Sequence, residues 1–332
     1  MNAAAVRSIF LLCLICLGAL LSGCERQSPE PGEEVVYRLK WLYNINTAGD
    51  LYGLEHGVFT AHNLKVAVKP GGPERDAIRE VELGRAQFGV ASADQVIRAL
   101  AKGAPIVVIA QLFQGNPLQW IYRGGNADYA GPDDLRGKTV GITYGGNDET
   151  IMRSLLAKYS IPPSEVNLFS VRYDYTPFYS GEVDLWPIYR NAEGIVIGEK
   201  MARAGEKTSF FVPDLLDVRF VANSLITTRK MVEEHPDLVQ SFRSALLTAW
   251  QEALAPANTE KTIALVHAYD QNTPQEIIAK QLAATRELML PENGRFGQID
   301  VAAWQQTERI MLEQGVIEAP VHVDKVLLLD GR

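Results

Sequence analysis

Short apolar runs alternate with amphipathic stretches over the first third of the chain. The runs predict strands at residues 35–41, 64–68, 88–90 and 106–112. Residues 50–56 predict the start of a helix, and residues 75–83 and 93–101 predict two more. Apart from Gln111, residues 106–112 are continuously apolar, a pattern typical of a strand covered on both faces. This succession predicts βαβ units and a mainly parallel sheet.

A second series of the same kind follows the glycine pair Gly124-Gly125. It opens at residues 135–142, turns helical at 155–158 and continues through extended segments at 166–171, 183–188 and 219–227. The C-terminal third predicts helices at residues 237–253, 274–289 and 301–313, the last one capped by Gly315. Two α/β units with a helical return are consistent with a two-lobed protein, although the pattern alone fits other folds.

The N-terminus has the order of a secretory signal. Arg7 is followed by an uncharged apolar run at residues 9–21, which ends in a Leu-Ser-Gly-Cys tetrapeptide at Cys24. The run is too short to span roughly 30 Å of hydrocarbon as a permanent helix. We therefore predict a signal peptide over residues 1–23, lipid attachment at Cys24 and a Pro- and Glu-rich tether over residues 24–34. An ordinary secreted protein with an incidental cysteine is the alternative.

Composition excludes several classes of partner and site. The formal net charge is −8 and no basic run occurs, which argues against nucleic acid as a partner. Cys13 and Cys16 lie in the predicted signal, so lipidation of Cys24 would leave no thiol for disulfides, metal ligation or catalysis. The five histidines are scattered, and no pair has ligand spacing on one helix. We predict neither a metal nor a cofactor.

Several segments, in order, resemble the periplasmic-binding families for nitrate, sulfonates and thiamine-pyrimidine precursors. They are LKWLYN at 39–44, GLEHGVF at 53–59, NLKV at 63–66, GRAQFGVASAD at 84–94, DLRGKTVG at 134–141 and HPDLVQSF at 235–242. The resemblance covers nearly all of residues 36–315. It implies a type II periplasmic-binding-protein fold, in which two α/β lobes are joined by a hinge that closes on ligand. We assign residues 35–123 and 225–332 to lobe one, and residues 126–222 to lobe two.

Within these families, LWPIYRNAEG at 185–194 is similar to the Thi5-like branch, whose ligands are flat, nitrogen-rich rings. The resemblance implies a solute-binding lipoprotein of an ABC importer, with a cognate permease and the lipid bilayer as partners. It would face the periplasm, or the outside of a Gram-positive cell. The opening helix departs from relatives at residues 49–52, which leaves the ligand open.

Three alternatives stay open. The chain could bind a sulfonate or nitrate within the same superfamily, or it could be a structural lipoprotein that binds a protein partner. It could also be an enzyme that builds the thiamine pyrimidine. Residues 144–148 argue against the enzyme because they lack the cysteines that Thi5-like enzymes carry there.

Loops at the carboxyl ends of the predicted strands supply the candidate ligand-binding residues. We predict contacts from Trp41, Asn44, Tyr52, Asp94, Asn116, Tyr144, Gly146, Asn147, Trp186, Tyr189, Asn191 and Glu193. The aromatic residues offer stacking faces, and Glu193 offers a carboxylate for the amidine-like edge of an aminopyrimidine. Trp186 as core, Asp94 as a helix cap and Glu193 as a solvated helix start are the other interpretations. Lys40 and Arg190 are the cations in or beside these loops, which favours a neutral or cationic ring over an oxyanion.

Overall fold

The computed structural model describes residues 34–72, 74–125, 129, 131–172, 174–290 and 295–329. The predictions of a signal peptide, of lipidation at Cys24 and of a tether up to residue 33 therefore lie outside the described residues. The first described strand begins at Glu34.

Lobe one is built on a mixed sheet. Its strands are β1 (Glu34–Arg38), β2 (Lys65–Lys69), β3 (Phe88–Ala91), β4 (Ile106–Gln111) and β10 (Ser224–Thr228). The sheet order is β2-β1-β3-β10-β4, with β1 parallel to both neighbours and β10 antiparallel to β3 and β4. Every residue of β4 is buried, which confirms the prediction of a strand covered on both faces.

Lobe two repeats this plan. Its strands are β5 (Leu118–Arg123), β6 (Thr139–Ile142), β7 (Asn167–Ser170), β8 (Leu185–Tyr189) and β9 (Thr208–Phe211). The order is β7-β6-β8-β5-β9; β6 is parallel to β7 and β8, whereas β5 is antiparallel to β8 and β9. Each lobe therefore receives one antiparallel strand, β5 or β10, directly after the chain crosses between lobes.

Helices cover both faces of the two sheets. They are α1 (Ala48–Glu55), α2 (Val58–Ala61), α3 (Ala77–Glu82), α4 (Ala93–Ala101), α5 (Asn147–Lys158), α6 (Thr176–Tyr179), α7 (Glu193–Arg203), α8 (Arg229–Glu234), α9 (Pro236–Leu254), α10 (Thr259–Tyr269), α11 (Gln275–Met289) and α12 (Val301–Glu313). The three predicted C-terminal helices correspond to α9, α11 and α12. Gly315, two residues after α12, has φ of +65°, as predicted for a glycine at a helix C-terminus.

The core of lobe one fixes α1 against α9. The rings of Phe88 and Phe242 stack with centroids 3.9 Å apart, and Tyr37 meets Phe242 edge-on at 5.2 Å. A Cβ on Gly49 would lie 2.1 Å from the ring of Trp250, so the two helices approach at a distance that glycine alone allows. This contact holds the first turn of α1 at the edge of the sheet.

The first crossing lies earlier in the chain than the predicted boundary at residue 123. That boundary assigns β5 to lobe one, but β5 pairs with β8 and β9 of the second sheet. The glycine pair that suggested the boundary follows β5 inside lobe two, where Gly124 N donates to Lys207 O over 2.8 Å. The chain thus crosses at residues 112–117 and returns at residues 212–223.

The two crossing segments are hydrogen-bonded to each other. The backbone N–H groups of Leu112 and Phe113 donate to Asn223 O over 3.0 and 3.2 Å. The side-chain amide of Asn116 donates to Phe220 O over 2.9 Å. These bonds make the crossings a two-stranded connection, which is the geometry expected of a hinge.

Candidate ligand-binding site

A cavity of about 440 Å³ lies between the two sheets. Its walls come mainly from residues that follow the carboxyl ends of β1, β3, β6, β7 and β8. Ligands collect at this edge of α/β sheets because loops and helix N-termini present backbone donors there. Both lobes contribute, so a bound molecule would be contacted from two sides.

Eight of the twelve predicted contact residues line this cavity. They are Trp41, Asn44, Tyr144, Gly146, Asn147, Trp186, Tyr189 and Glu193. Residues distant in sequence are thus brought together, as shown by Lys40 and Tyr189, which are 149 places apart and hydrogen-bond to each other. Tyr144 is 55% exposed, whereas Trp186 is buried in lobe two.

Two of the other four, Tyr52 and Asp94, are buried beneath the wall. The ring of Tyr52 packs on His56, with centroids 4.2 Å apart, in the core between α1 and α9. Asp94 pairs with Arg98 over 2.8 Å and accepts the hydroxyl of Ser92 over 2.5 Å. Both side chains are therefore occupied in the packing and capping of their own helices.

Asn191 and Asn116 also lie outside the cavity lining. Asn191 is fully buried, and its amide donates to Asn46 Oδ1 over 2.7 Å and to Thr285 Oγ1 over 2.9 Å. Because Asn46 does line the cavity, Asn191 supports the wall from behind. Asn116 belongs to the hinge described above.

The wall from lobe one begins with Trp41, which follows β1 and is half-buried. The Trp41 carbonyl accepts from Gly71 N over 2.9 Å. A Cβ on Gly71 would lie 2.0 Å from Leu39 O, so this close backbone approach requires glycine. Next to it, Asn44 Oδ1 accepts from Asn46 N over 2.9 Å and caps the short turn at residues 45–47. The ring and the polar turn are therefore held in adjacent positions.

Asp50 also lines this wall, and the sequence reading did not propose it as a contact. The residue is buried, and its Oδ1 accepts from Tyr37 Oη over 2.8 Å and from Trp250 Nε1 over 3.3 Å. Burial raises the pKa of Asp50 to about 7. The sequence signal that could have indicated Asp50 is the departure from relatives at residues 49–52. A carboxyl group embedded in an apolar helix seldom occurs without a structural or functional reason.

The wall from lobe two centres on β8. Trp186 packs edge-on against Tyr175, with centroids 5.8 Å apart. Tyr189 Oη accepts from Lys40 Nζ over 2.9 Å, which joins the two lobes across the cavity. Glu193 begins α7 and its Oε2 accepts from Tyr189 N over 3.1 Å. Burial raises the pKa of Glu193, because its charged form loses solvation. The N–H donors of a ligand would restore hydrogen bonds to that charged form.

A turn at residues 143–148 completes this wall. Asp148 Oδ2 accepts from Thr143 N over 2.6 Å, and Glu149 Oε2 accepts from Gly145 N over 2.7 Å. Gly145 has φ of +80°, a left-handed conformation that favours glycine. Burial raises the pKa of Asp148 to about 6, although its backbone hydrogen bonds act in the opposite direction.

Acidic groups outnumber basic ones around the cavity. The carboxyl groups in the lining are those of Asp50, Asp76, Asp148 and Glu193. Lys40 and Arg172 are the cations that line it; Arg172 was missed by the sequence reading, and Arg190 lies outside. Of these cations, Lys40 is hydrogen-bonded to Tyr189 and Arg172 is exposed. The cavity is therefore better suited to a donor-rich or cationic molecule than to an anion.

The described residues offer neither a metal site nor a membrane span. They contain no group of three or more His, Cys, Asp or Glu side chains placed to hold a metal ion. No helix in this part of the chain is both long and apolar enough to cross a bilayer.

Comparison with known proteins places this geometry in a family. The family model described as NMT1/THI5 like matches residues 44–259. A formylaminopyrimidine-binding protein of Halalkalibacterium halodurans is 25% identical over 325 residues, which cover 95% of this chain and 97% of the relative. The riboflavin-binding protein RibY of Chloroflexus aurantiacus is 23% identical over 88% of this chain and 84% of its own. The periplasmic aliphatic sulphonate binding protein SsuA of Escherichia coli shares the fold, with a TM-score of 0.70, 18% identity, and coverage of 92% of this chain and 95% of its own.

Proposed function

Because the chain belongs to the NMT1/THI5-like family, we propose that it is the extracytoplasmic solute-binding protein of an ABC importer. We propose that its ligand is a flat, nitrogen-rich heterocycle of the aminopyrimidine or flavin kind. The observation that carries the proposal is one cavity that combines aromatic faces from both lobes with buried carboxyl groups. Relatives over most of the chain are named for binding such rings.

Aromatic stacking at such a site would supply part of the binding free energy that uptake from dilute solution requires. Stacking of a heterocycle on an aromatic side chain contributes roughly 1 to 3 kcal/mol. Trp41 and Tyr189 offer faces on opposite lobes, and two such contacts would supply a useful share of the roughly −8 kcal/mol of micromolar binding. Glu193 would accept hydrogen bonds from the ring edge and so fix its orientation.

The N-terminal pattern supports the place of action in this proposal. A signal peptide over residues 1–23 and a lipid on Cys24 would hold the domain at the membrane surface, facing the periplasm or the outside of a Gram-positive cell. A tethered binding protein of this kind delivers its ligand to a cognate permease in the same membrane.

The proposal is tested by calorimetric titration of the purified domain with hydroxymethylpyrimidine, formylaminopyrimidine, riboflavin, an alkanesulfonate and nitrate. We expect a heterocycle to bind. Trp41→Ala should weaken that binding by roughly 1 to 3 kcal/mol, about five-fold to more than a hundred-fold, because the stack is lost.

Glu193→Gln is the sharper variant, because glutamine can still accept from Tyr189 N while it loses the charge. We expect a loss of about 1.5 to 3 kcal/mol in ligand binding. Glu182→Gln, an exposed change in the same lobe, is the matched control and should bind like the parent. Binding of sulfonate or nitrate alone would replace the heterocycle with an oxyanion and leave the solute-binding role intact.

A further inference from the structure

Two backbone donors of the turn at residues 143–148 are already used on acidic groups. Thr143 N donates to the carboxylate of Asp148, and Gly145 N donates to the carboxylate of Glu149. Gly146 N donates to Thr143 O over 2.8 Å. A turn before a helix often receives an anion through such N–H groups. Here the helix supplies its own two carboxylates, and the turn lines the cavity.

The cations near this turn are paired with carboxylates other than Asp148. Arg98 of α4 donates to Gly145 O of the turn over 3.5 Å and to Thr150 Oγ1 over 2.6 Å, and its charge is paired with buried Asp94 over 2.8 Å. Arg153 pairs with Glu149 over 2.8 Å on the solvent side of α5. Within the described part of the chain, no lysine or arginine forms an ion pair with Asp148. At pH values above its pKa of about 6, the buried carboxylate of Asp148 therefore carries a charge that these cations do not neutralise.

The cavity lining also contains two cations. Lys40 belongs to the wall of lobe one and donates to Tyr189, and Arg172 is exposed. A phosphate group brought to the α5 turn would meet the carboxylate of Asp148 where its phosphate oxygens need donors.

We infer that Asp148 is a specificity-determining residue that excludes anionic substituents, so the cavity takes its heterocycle as the free, unphosphorylated base. This inference rests on the proposed function and narrows its ligand class. A hydroxyl or amino substituent can donate a hydrogen bond to the carboxylate of Asp148, whereas a phosphate monoester presents acceptors and about two negative charges. The same cavity would reject the phosphate ester of a ring that it otherwise accommodates.

The test compares two probes, hydroxymethylpyrimidine and its phosphate monoester, by calorimetric titration at about pH 8, where phosphate carries its full charge. The parent should bind the free base at least about ten-fold more tightly than the ester. Asp148→Asn keeps an acceptor for Thr143 N and removes the charge, so it should reduce that ratio about ten-fold. Asp133→Asn, an exposed change in the same lobe, removes one charge from the protein and should leave the ratio unchanged.

The outcomes separate this inference from the function on which it rests. Equal or tighter binding of the ester by the parent overturns the role of Asp148, and this result needs no variant. An unchanged ratio in a folded Asp148→Asn also overturns it, while the heterocycle function stands. Failure of the parent to bind hydroxymethylpyrimidine, formylaminopyrimidine or riboflavin overturns the proposed function and, with it, the inference.

Discussion

The two walls of the cavity are held in place by different kinds of contact. In lobe one, Asp50 is held by Tyr37 and Trp250, both of which belong to the hydrophobic core. In lobe two, the turn at residues 143–148 is held by side chains of the helix that it precedes, and Tyr144 at its tip is 55% exposed. Changes at Asp50 and at the residues that hold it should therefore act on stability, whereas changes in the turn should act on ligand choice.

Gly49→Val is expected to have the largest effect on stability, because the added side chain would push α1 away from α9 in the core of lobe one. The first atom added at this position would lie 2.1 Å from the ring of Trp250. Overpacking of this kind costs typically 1 to 3 kcal/mol, and we expect about 3 kcal/mol or more here because a rigid indole ring cannot yield. Chemical denaturation of parent and variant measures the loss.

Gly198→Ala is the matched control for this prediction. It lies inside α7, where an added Cβ would be 3.6 Å from Thr208 Oγ1, an ordinary contact. Alanine there should stabilise the protein by up to about 1 kcal/mol, because alanine favours a helix over glycine. A Gly49→Val protein as stable as the parent would mean that α1 is not fixed by α9.

Much of this fold could be predicted because its signals are local. The largely apolar run of β4 and the periodic stretches of α9, α11 and α12 were located from sequence to within a few residues. For helix α7 the sequence analysis gave only a possible start at Glu193, because the two glycines in EGIVIGEKMAR weaken the helix signal. The sheet to which β5 belongs was also missed, since pairing with β8 and β9 is a long-range property that its own residues do not encode.

Part of the site could be predicted from one rule, namely that the loops after parallel strands meet at the same edge of the sheet. That rule located Trp41, the turn at residues 143–148 and the segment after β8. It could not tell which way a side chain turns once a loop folds, so Asn191, which points away from the cavity towards Thr285, was included. Asp50 was not proposed, because its exposure to the cavity depends on how α1 is rotated by packing on Trp250.

Asp50→Asn should give a smaller effect that depends on pH. Burial raises the pKa of Asp50 from 3.8 to about 7, so the folded protein binds this proton more strongly than the unfolded chain does. The contribution of this proton to the free energy of unfolding is thus most favourable below about pH 4, and it is lost as pH rises towards about 7. Asparagine does not titrate, so between about pH 5 and about pH 7 the variant should gain about 1 to 2 kcal/mol relative to the parent.

Denaturation at several pH values measures this difference. Asp148 and Glu193 also have raised pKa values, but both remain in the variant and cancel in the comparison. Asp174→Asn is the control. Hydrogen bonds from Thr176 lower the pKa of Asp174, so this group titrates below the window. The plots of unfolding free energy against pH for this variant and the parent should therefore be parallel. Parallel curves for Asp50→Asn as well would mean that the carboxyl group is not held in the core.

The smallest expected effect concerns the contact that joins the two walls. Lys40 Nζ donates to Tyr189 Oη over 2.9 Å and lies 5.6 Å from the centre of the same ring. Lys40→Met keeps the aliphatic stem and Tyr189→Phe keeps the ring, so a double-mutant cycle isolates the charge–phenol interaction. Both side chains are only half-buried, and we expect a coupling of about 0.5 to 1 kcal/mol without ligand.

The same cycle repeated with saturating ligand decides whether this contact belongs to the binding cavity. A ring bound between the walls must rearrange or replace the Lys40–Tyr189 contact, so the coupling should change. Lys200 over Tyr179, 3.6 Å from the ring centre and within lobe two, provides a cycle that ligand should leave unaltered. If both couplings respond equally to ligand, the response is a general stabilisation of the folded protein. If the Lys40–Tyr189 coupling alone changes, the two walls meet at the ligand.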